Sequence, residues 1–129
     1  MNYYFSTTLK NTTFNSAKEK VVEELQKEGF GILTNIDVKE TLKKKIDVDF
    51  RPYEILGACN PHFAHKALLA EDKIGIMLPC NVIIEEISEG TIIVSAVDPI
   101  ASMIAIKNTN LGDIAVEIQQ KLKRVIDNL

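Results

Sequence analysis

The strongest constraint on the fold is a two-stranded hairpin in the second half of the chain. Residues 80–87 and 91–97 are rich in valine and isoleucine, and Ser88-Glu89-Gly90 stands between them. β-Branched residues favour strands, and a short connection that contains glycine favours direct antiparallel pairing of the two strands it joins. The sequence therefore predicts two neighbouring antiparallel strands in this region.

The remainder of the chain alternates between strand-like and helix-like segments. Three further strands are predicted over residues 2–9, 30–36 and 53–60, and helices over 14–28, 38–46, 61–72, 100–106 and 111–129. The closing hairpin and the small size favour an α+β fold over a parallel doubly wound sheet. We expect a mostly antiparallel five-stranded sheet packed against helices on one face, with a long C-terminal helix across it.

Several predicted helices carry residues that are typical of helix ends. Thr13 precedes Phe14, Ser16 and Glu19 have the spacing of a capping box, and Gly29 supplies a stop. Three more starts are marked by Asp37 with Glu40, by Asn60-Pro61 and by Asp98-Pro99. Aspartate and asparagine cap helices through their side-chain oxygens, and proline suits the first helical position. We therefore interpret Asn60 and Asp98 as caps.

Composition limits the classes of partner. The 129 residues are 46% hydrophobic and contain no repeat or linker, which predicts one domain over residues 1–129. The net charge is −3, and the fifteen basic residues are interspersed with acidic ones, which argues against nucleic-acid or membrane partners. The start lacks the features of a secretory signal, so we expect a cytoplasmic protein. The longest apolar stretch, residues 74–84, is interrupted and too short to span a bilayer.

Two Cys-Asn pairs are the main candidates for a functional site. The only cysteines lie in Cys59-Asn60, before Pro61, and in Cys80-Asn81, after Pro79. Each pair falls at a junction between predicted elements, where side chains can converge on a shared pocket. A thiol at a helix N-terminus, as at Cys59, is expected to have a lowered pKa. The alternative is that both thiols are small buried hydrophobes.

The chemistry of these side chains leaves several uses open. Cys59 and Cys80 suit a soft metal ion or a reversible disulfide, and a zinc site would add His62 and His65, although the spacing matches no compact zinc motif. The two asparagines suit either a polar ligand or, respectively, a helix cap and a turn. Arg51 suits an ion pair with Asp37 or Asp49, or the binding of a carboxylate or phosphate.

Four segments together resemble the small prokaryotic family catalogued as domain of unknown function 302. They are residues 29–38 (GFGILTNIDV), 50–61 (FRPYEILGACNP), 78–82 (LPCNV) and 97–99 (VDP). The resemblance covers nearly the whole chain and implies an α+β fold with a curved, largely antiparallel sheet, often as a homodimer. It implies no activity. The family pattern includes both Cys-Asn pairs with their prolines but no fixed histidine at position 62 or 65.

These observations leave three hypotheses about function. The leading one is a binding domain that holds a small ligand or a soft metal ion, or forms a reversible disulfide. Its candidate residues are Cys59, Asn60, Cys80, Asn81 and Arg51, with Cys59 and Cys80 as metal ligands. The second is a thiol-dependent enzyme with Cys59 as nucleophile and a nearby histidine as base. The third is a structural, homodimerising module.

Overall fold

In the computed structural model, which describes residues 2–129, five antiparallel strands form one open sheet. The strands are β1 (Tyr4–Lys10), β2 (Gly31–Asp37), β3 (Tyr53–Cys59), β4 (Cys80–Ser88) and β5 (Thr91–Val97). Their order across the sheet is β1-β5-β4-β3-β2, and every neighbouring pair is antiparallel. The α+β class and the β4–β5 hairpin are therefore confirmed.

Five α-helices and two 3₁₀ segments complete the described chain. The helices are α1 (Phe14–Lys27), α2 (Val38–Ile46), α3 (Pro61–Ala70), α4 (Pro99–Ser102) and α5 (Gly112–Asp127), and the 3₁₀ segments are Asp72–Met77 and Thr109–Leu111. The long C-terminal helix is confirmed. Within residues 2–129, no helix is both long and apolar enough to cross a membrane.

Two predicted helices end earlier than expected. The helix predicted to reach residue 72 stops at Ala70, whose carbonyl accepts a 2.8 Å hydrogen bond from the side-chain amide of Asn108. The helix predicted over 100–106 stops at Ser102, whose hydroxyl donates to the carbonyl of Pro99 at 3.2 Å. Side-chain bonds of this kind compete with the backbone pattern that would continue a helix.

The core lies between one face of the sheet and helices α1 and α5. Side chains alternate along each strand, so one set faces the helices. That set is fully buried and comprises Leu56, Ala58, Val82, Ile84, Ile92, Val94 and Ala96. We call the opposite side, which carries Ser6, Tyr53, Asn81, Ile83 and Ser95, the second face.

The helix caps were predicted only in part. The carboxylates of Asp37 and Asp98 accept from the backbone N–H groups of Glu40 and Ile100, both at 3.0 Å, as expected. The Ser16–Glu19 capping box is wrong, because both residues lie inside α1, whose cap is Thr13. The hydroxyl of Thr13 accepts from the backbone of Ser16 at 3.1 Å.

Asn60 stands at the N-cap position of α3 but makes no capping hydrogen bond. Its side-chain amide instead donates to the carbonyl of Glu28 at 3.3 Å. The carbonyls at the end of a helix have no partner within the helix, so this bond satisfies one at the end of α1. The predicted cap is therefore wrong, and the buried amide joins α1 to the start of α3.

Gly29 shapes the turn that presents the Glu28 carbonyl to Asn60. The backbone N–H of Phe30 donates to the carbonyl of Leu25 at 2.9 Å, and that of Gly29 to Gln26 at 3.0 Å, the pattern of a Schellman motif. Gly29 has φ +88°, a left-handed conformation that favours glycine. A Cβ at this position would lie 3.0 Å from Nδ2 of Asn60.

Replacing Gly29 by alanine is expected to lower the free energy of unfolding by about 1–2 kcal/mol, because the left-handed conformation strains a residue with a Cβ. Urea unfolding measures the change. The matched control is Gly31→Ala, since a Cβ at Gly31 meets no atom within 4 Å. Equal unfolding midpoints for the two variants would contradict the role assigned to this turn.

A β-bulge in β2 sets the position of Leu33. Ile32 pairs with Ala58 and Thr34 pairs with Gly57, so Leu33 is an extra residue between two consecutive pairs of the ladder. A bulge of this kind redirects a side chain relative to the regular alternation of the strand. Leu33 is 65% exposed although it is a large apolar residue on an edge strand.

Candidate functional site

A cavity of about 290 Å³ lies between the helices and the ends of β3 and β4. We call it the helix-side cavity. Strands β3 and β4 contribute Ala58 and Cys80, and helices α3 and α5 contribute Ala67 and Ile114. Of the described residues that line it, none is acidic, basic or histidine. The walls are therefore almost entirely hydrocarbon, with a few neutral polar atoms.

Short side chains create the space. Ala58 faces the helices from the sheet, Ala64 and Ala67 come from α3, and Ala115 comes from α5. Protein interiors are otherwise packed to the density of organic crystals, so four methyl groups at facing positions leave a gap between the elements. The cavity thus follows from residue size at the contacts of α3, α5 and the sheet.

Cys80 lines the cavity from the sheet side. It pairs across the strands with Ala58. Val82, two residues further along β4, is fully buried. Burial in this apolar environment raises the pKa of the Cys80 thiol from its ordinary 9.0 to about 11, and the charge of nearby Cys59 acts in the same direction. Cys80 is accordingly a neutral thiol at physiological pH.

We expect Cys80 to resist alkylation in the folded protein. With a pKa of about 11, roughly one molecule in a thousand carries the thiolate at pH 8. Mass spectrometry after iodoacetamide treatment should find the peptide that contains Cys80 unmodified, and the same peptide fully modified in urea. Rapid labelling of Cys80 in the folded protein would contradict the raised pKa of its thiol.

The same shift predicts a pH dependence of stability. The folded pKa lies above the unfolded value, so the contribution is complete below pH 9 and is lost as the pH rises through about 11. The loss amounts to about 2–3 kcal/mol at most. Urea unfolding at pH 8 and pH 10.5 should show a smaller decrease for Cys80→Ala than for the wild type. Equal decreases for the two proteins would contradict the shift.

Cys59 and Asn60 also contribute to the wall of the cavity. Cys59 is the last residue of β3, and Asn60 links that strand to α3. Both cysteines are free thiols, and the cross-strand partner of Cys80 is Ala58 instead of Cys59. Three of the five candidate residues from the sequence therefore line one cavity.

The other two candidates, Asn81 and Arg51, lie in a groove on the second face of the sheet. Asn81 follows Cys80 in β4, and consecutive strand residues point to opposite faces. Arg51 donates to Oε1 of Glu85 through Nη2 at 2.7 Å and Nε at 3.3 Å. Its ion-pair partner is therefore Glu85 and neither of the two aspartates considered from the sequence.

Neither histidine contributes to the cavity wall. His62 and His65 are exposed on α3, and neither lines the helix-side cavity. Among residues 2–129, no three His, Cys, Asp or Glu side chains are grouped to hold a metal ion. A four-ligand zinc site built from Cys59, Cys80 and the two histidines is not formed.

Sequence reasoning missed the apolar residues that define the cavity. Leu33 and Leu68 line it although they are 65% and 45% exposed, so they stand at its rim. Met103 and Ile114 contribute further wall. The one available signal was the spacing of Ala64 and Ala67, which places two small side chains on the same side of α3.

Comparison with known proteins identifies a family. The profile of the domain of unknown function DUF302 matches residues 5–129. A crystal structure of an uncharacterized conserved protein DUF302 from Bacillus stearothermophilus is similar, with 29% identity, 98% coverage of both chains and a TM-score of 0.89. No curated protein matches the chain. The chain therefore belongs to the DUF302 family.

Proposed function

We propose that this protein binds a small, uncharged and largely apolar molecule in the helix-side cavity. The observation that carries the proposal is a cavity of about 290 Å³ whose lining contains no ionisable side chain except the thiols. An engineered apolar cavity of about 150 Å³ holds benzene, so the volume here suits a bicyclic aromatic or a short branched chain. It lies near the lower end of known ligand pockets.

The lining disfavours charged ligands. A carboxylate or ammonium group in this cavity would lose its hydration without gaining an opposite charge, which costs several kcal/mol. Asn60 and Cys80 offer neutral hydrogen-bonding atoms, since the Asn60 amide uses one N–H on Glu28 and retains its oxygen. One polar atom on an otherwise apolar ligand would find a partner there.

The rim of the cavity indicates a route of entry. Leu33 stands on the bulge of β2, and Leu68 stands on α3. Both are large apolar side chains that touch the cavity and solvent. An apolar molecule would pass between an edge strand and a helix end, where neither element has to unfold.

Cys80 acts as a neutral wall group in this proposal. A thiol with a pKa of about 11 is a poor nucleophile and a poor metal ligand at physiological pH, because both roles require the thiolate. This weighs against the soft-metal and thiol-enzyme hypotheses for Cys80. It is compatible with a family pattern that keeps a small, polarisable side chain at this point of the wall.

A titration with indole, monitored by two-dimensional NMR, tests the proposal. Indole is uncharged and bicyclic and carries one N–H, and indole-3-acetate is its anionic counterpart. We expect saturable shifts with indole at residues around the cavity and none with indole-3-acetate. Equal binding of both compounds, or no saturation with indole, would contradict the proposal.

Variants sharpen this test. Ala67→Leu places three more carbon atoms in the cavity and should abolish indole binding, whereas Ala105→Leu is the matched control at an exposed position outside it. If Ala67→Leu unfolds the protein, Ala115→Val fills the cavity with a smaller change. Unchanged indole affinity in folded filled variants would place binding elsewhere.

A further inference from the structure

A second and chemically different recess crosses the second face of the sheet. It has a volume of about 580 Å³ and is bounded by residues of β1, β3, β4 and β5. Ser95 and Ile83 form part of its floor, and Tyr4 and Tyr53 stand on opposite sides with two strands between them. The rings of Tyr3 and Tyr4 meet edge to face at 5.0 Å. We call this recess the sheet groove.

The groove contains both hydrogen-bond donors and hydrogen-bond acceptors. The Ser95 hydroxyl donates to Oγ of Ser6 at 3.1 Å, which leaves the Ser6 hydrogen available to a ligand. The Asn81 side chain is exposed and offers both an amide N–H pair and an oxygen. Burial, followed by the charge of Glu85, raises the pKa of Tyr53, which therefore remains a hydroxyl donor.

Glu85 carries an acceptor that the protein leaves unused. Both nitrogens of Arg51 that reach this carboxylate donate to Oε1, and no donor among residues 2–129 binds Oε2. The Glu85 side chain is only 17% exposed. A carboxylate oxygen accepts strongly from hydroxyl groups, so Oε2 is a ready site for a ligand hydroxyl.

The charges in the groove cancel. Arg51 and Glu85 form an ion pair at 2.7 Å, and the guanidinium is also held over the rings of Phe50 and Tyr53 at 4.6 and 5.4 Å. The groove contains no other lysine, arginine, aspartate or glutamate among the described residues. It therefore lacks the excess positive charge that a phosphate or carboxylate ligand needs, and it suits a neutral one.

We propose that the sheet groove is a binding site for a neutral monosaccharide. A hexose carries hydroxyl groups that both donate and accept hydrogen bonds. They can therefore pair with the carboxylate of Glu85, the amide of Asn81 and the hydroxyl of Ser6. Its C–H faces are weakly positive and pack against the negative faces of tyrosine rings. The site is independent of the helix-side cavity, because the sheet separates the two.

Titration of the labelled protein with D-glucose, D-galactose and D-mannose tests this inference, with D-gluconate as the anionic comparison. At least one neutral hexose should give saturable NMR shifts at residues 6, 81, 85 and 95. Asn81→Ala should weaken that binding about tenfold, because a lost hydrogen-bond partner in a site has an effect of this size. Glu89→Gln, in the exposed β4–β5 turn, is the control and should change nothing.

Two further variants test the charge balance of the sheet groove and its independence from the helix-side cavity. Glu85→Gln removes the negative charge and leaves Arg51 uncompensated, so it should weaken hexose binding and create gluconate binding. The filled-cavity variant Ala67→Leu should bind hexose as the wild type does, whatever the outcome with indole. Three results would overturn the inference. The first is no saturation by any of the three sugars up to about 100 mM, and the second is unaltered hexose binding in Asn81→Ala. The third is a dimer in solution that Ile83→Asp converts to monomers.

Discussion

Replacing Ile118 by alanine is expected to lower the free energy of unfolding by about 2–5 kcal/mol, the range for isoleucine-to-alanine changes in a core. Ile118 is 7% exposed, belongs to the core between α5 and the sheet, and also lines the helix-side cavity. The change removes three carbon atoms from a place where the neighbouring elements already leave space. Chemical denaturation with urea gives the difference.

The matched control is Val116→Ala on the same helix, at a position that is 41% exposed. Its effect should stay within about 0.5 kcal/mol, as for most surface substitutions. The Ile118→Ala variant should regain stability when indole is added, by about 2.7 kcal/mol at a hundredfold excess over its Kd. Equal stabilities of the two variants would contradict the packing described for α5.

Gly57→Ala is expected to destabilise the protein by about 1–3 kcal/mol, the cost of placing extra atoms in a packed region. Gly57 is buried in β3, and an added Cβ would collide with Oγ1 of Thr34 and lie 2.9 Å from Cγ of Pro79. The exposed Thr34 side chain can rotate away, but the proline ring cannot. Thermal or urea unfolding measures the loss.

Gly112→Ala controls for the chemical change itself. Gly112 is helical, with φ −57° and ψ −50°, and a Cβ there meets no atom within 4 Å. Alanine at this position should leave stability unchanged or increase it by up to about 1 kcal/mol. Adding Thr34→Ala to Gly57→Ala should restore only part of the loss, since the contact with Pro79 remains. Full stability of the Gly57→Ala single variant would refute the close approach of Thr34 and Pro79 to Gly57.

The hairpin and the helix starts that depend on neighbouring residues were predictable from the sequence. The β4–β5 hairpin needs only its turn and its β-branched residues, and Asp37 caps α2 through residues three positions apart. The hydrogen bond of the Asn60 side chain could not be predicted from neighbouring residues. Its partner, the carbonyl of Glu28, lies 32 residues away in the sequence and is brought close by the fold of the α1–β2 turn.

Strand geometry explains why the five candidate residues lie in two separate recesses. Cys80 and Asn81 are consecutive in β4, so they face opposite sides of the sheet and enter different recesses. Arg51 and Glu85 come together only through the register of β3 and β4, in which Tyr53 stands opposite Glu85. Register between strands that are not joined by a short turn cannot be derived from local patterns.

The position of Leu33 illustrates the same limit. The sequence predicts a strand at this point, but a bulge arises from how β2 pairs with β3, and the single extra residue decides which side chain reaches the rim of the cavity. The cavity itself depends on which alanines of α3, α5 and β3 face one another. Helical spacing indicates the face of α3 but not its partner.

A crystal structure of the protein under xenon pressure is the most direct test of the helix-side cavity. Xenon enters apolar cavities that are large enough and free of ordered water. We expect a xenon peak bounded by Ala67, Cys80 and Ile114, and no peak at that place in Ala67→Leu. Ordered water molecules at that place in the wild type, or no xenon there, would contradict an apolar ligand site.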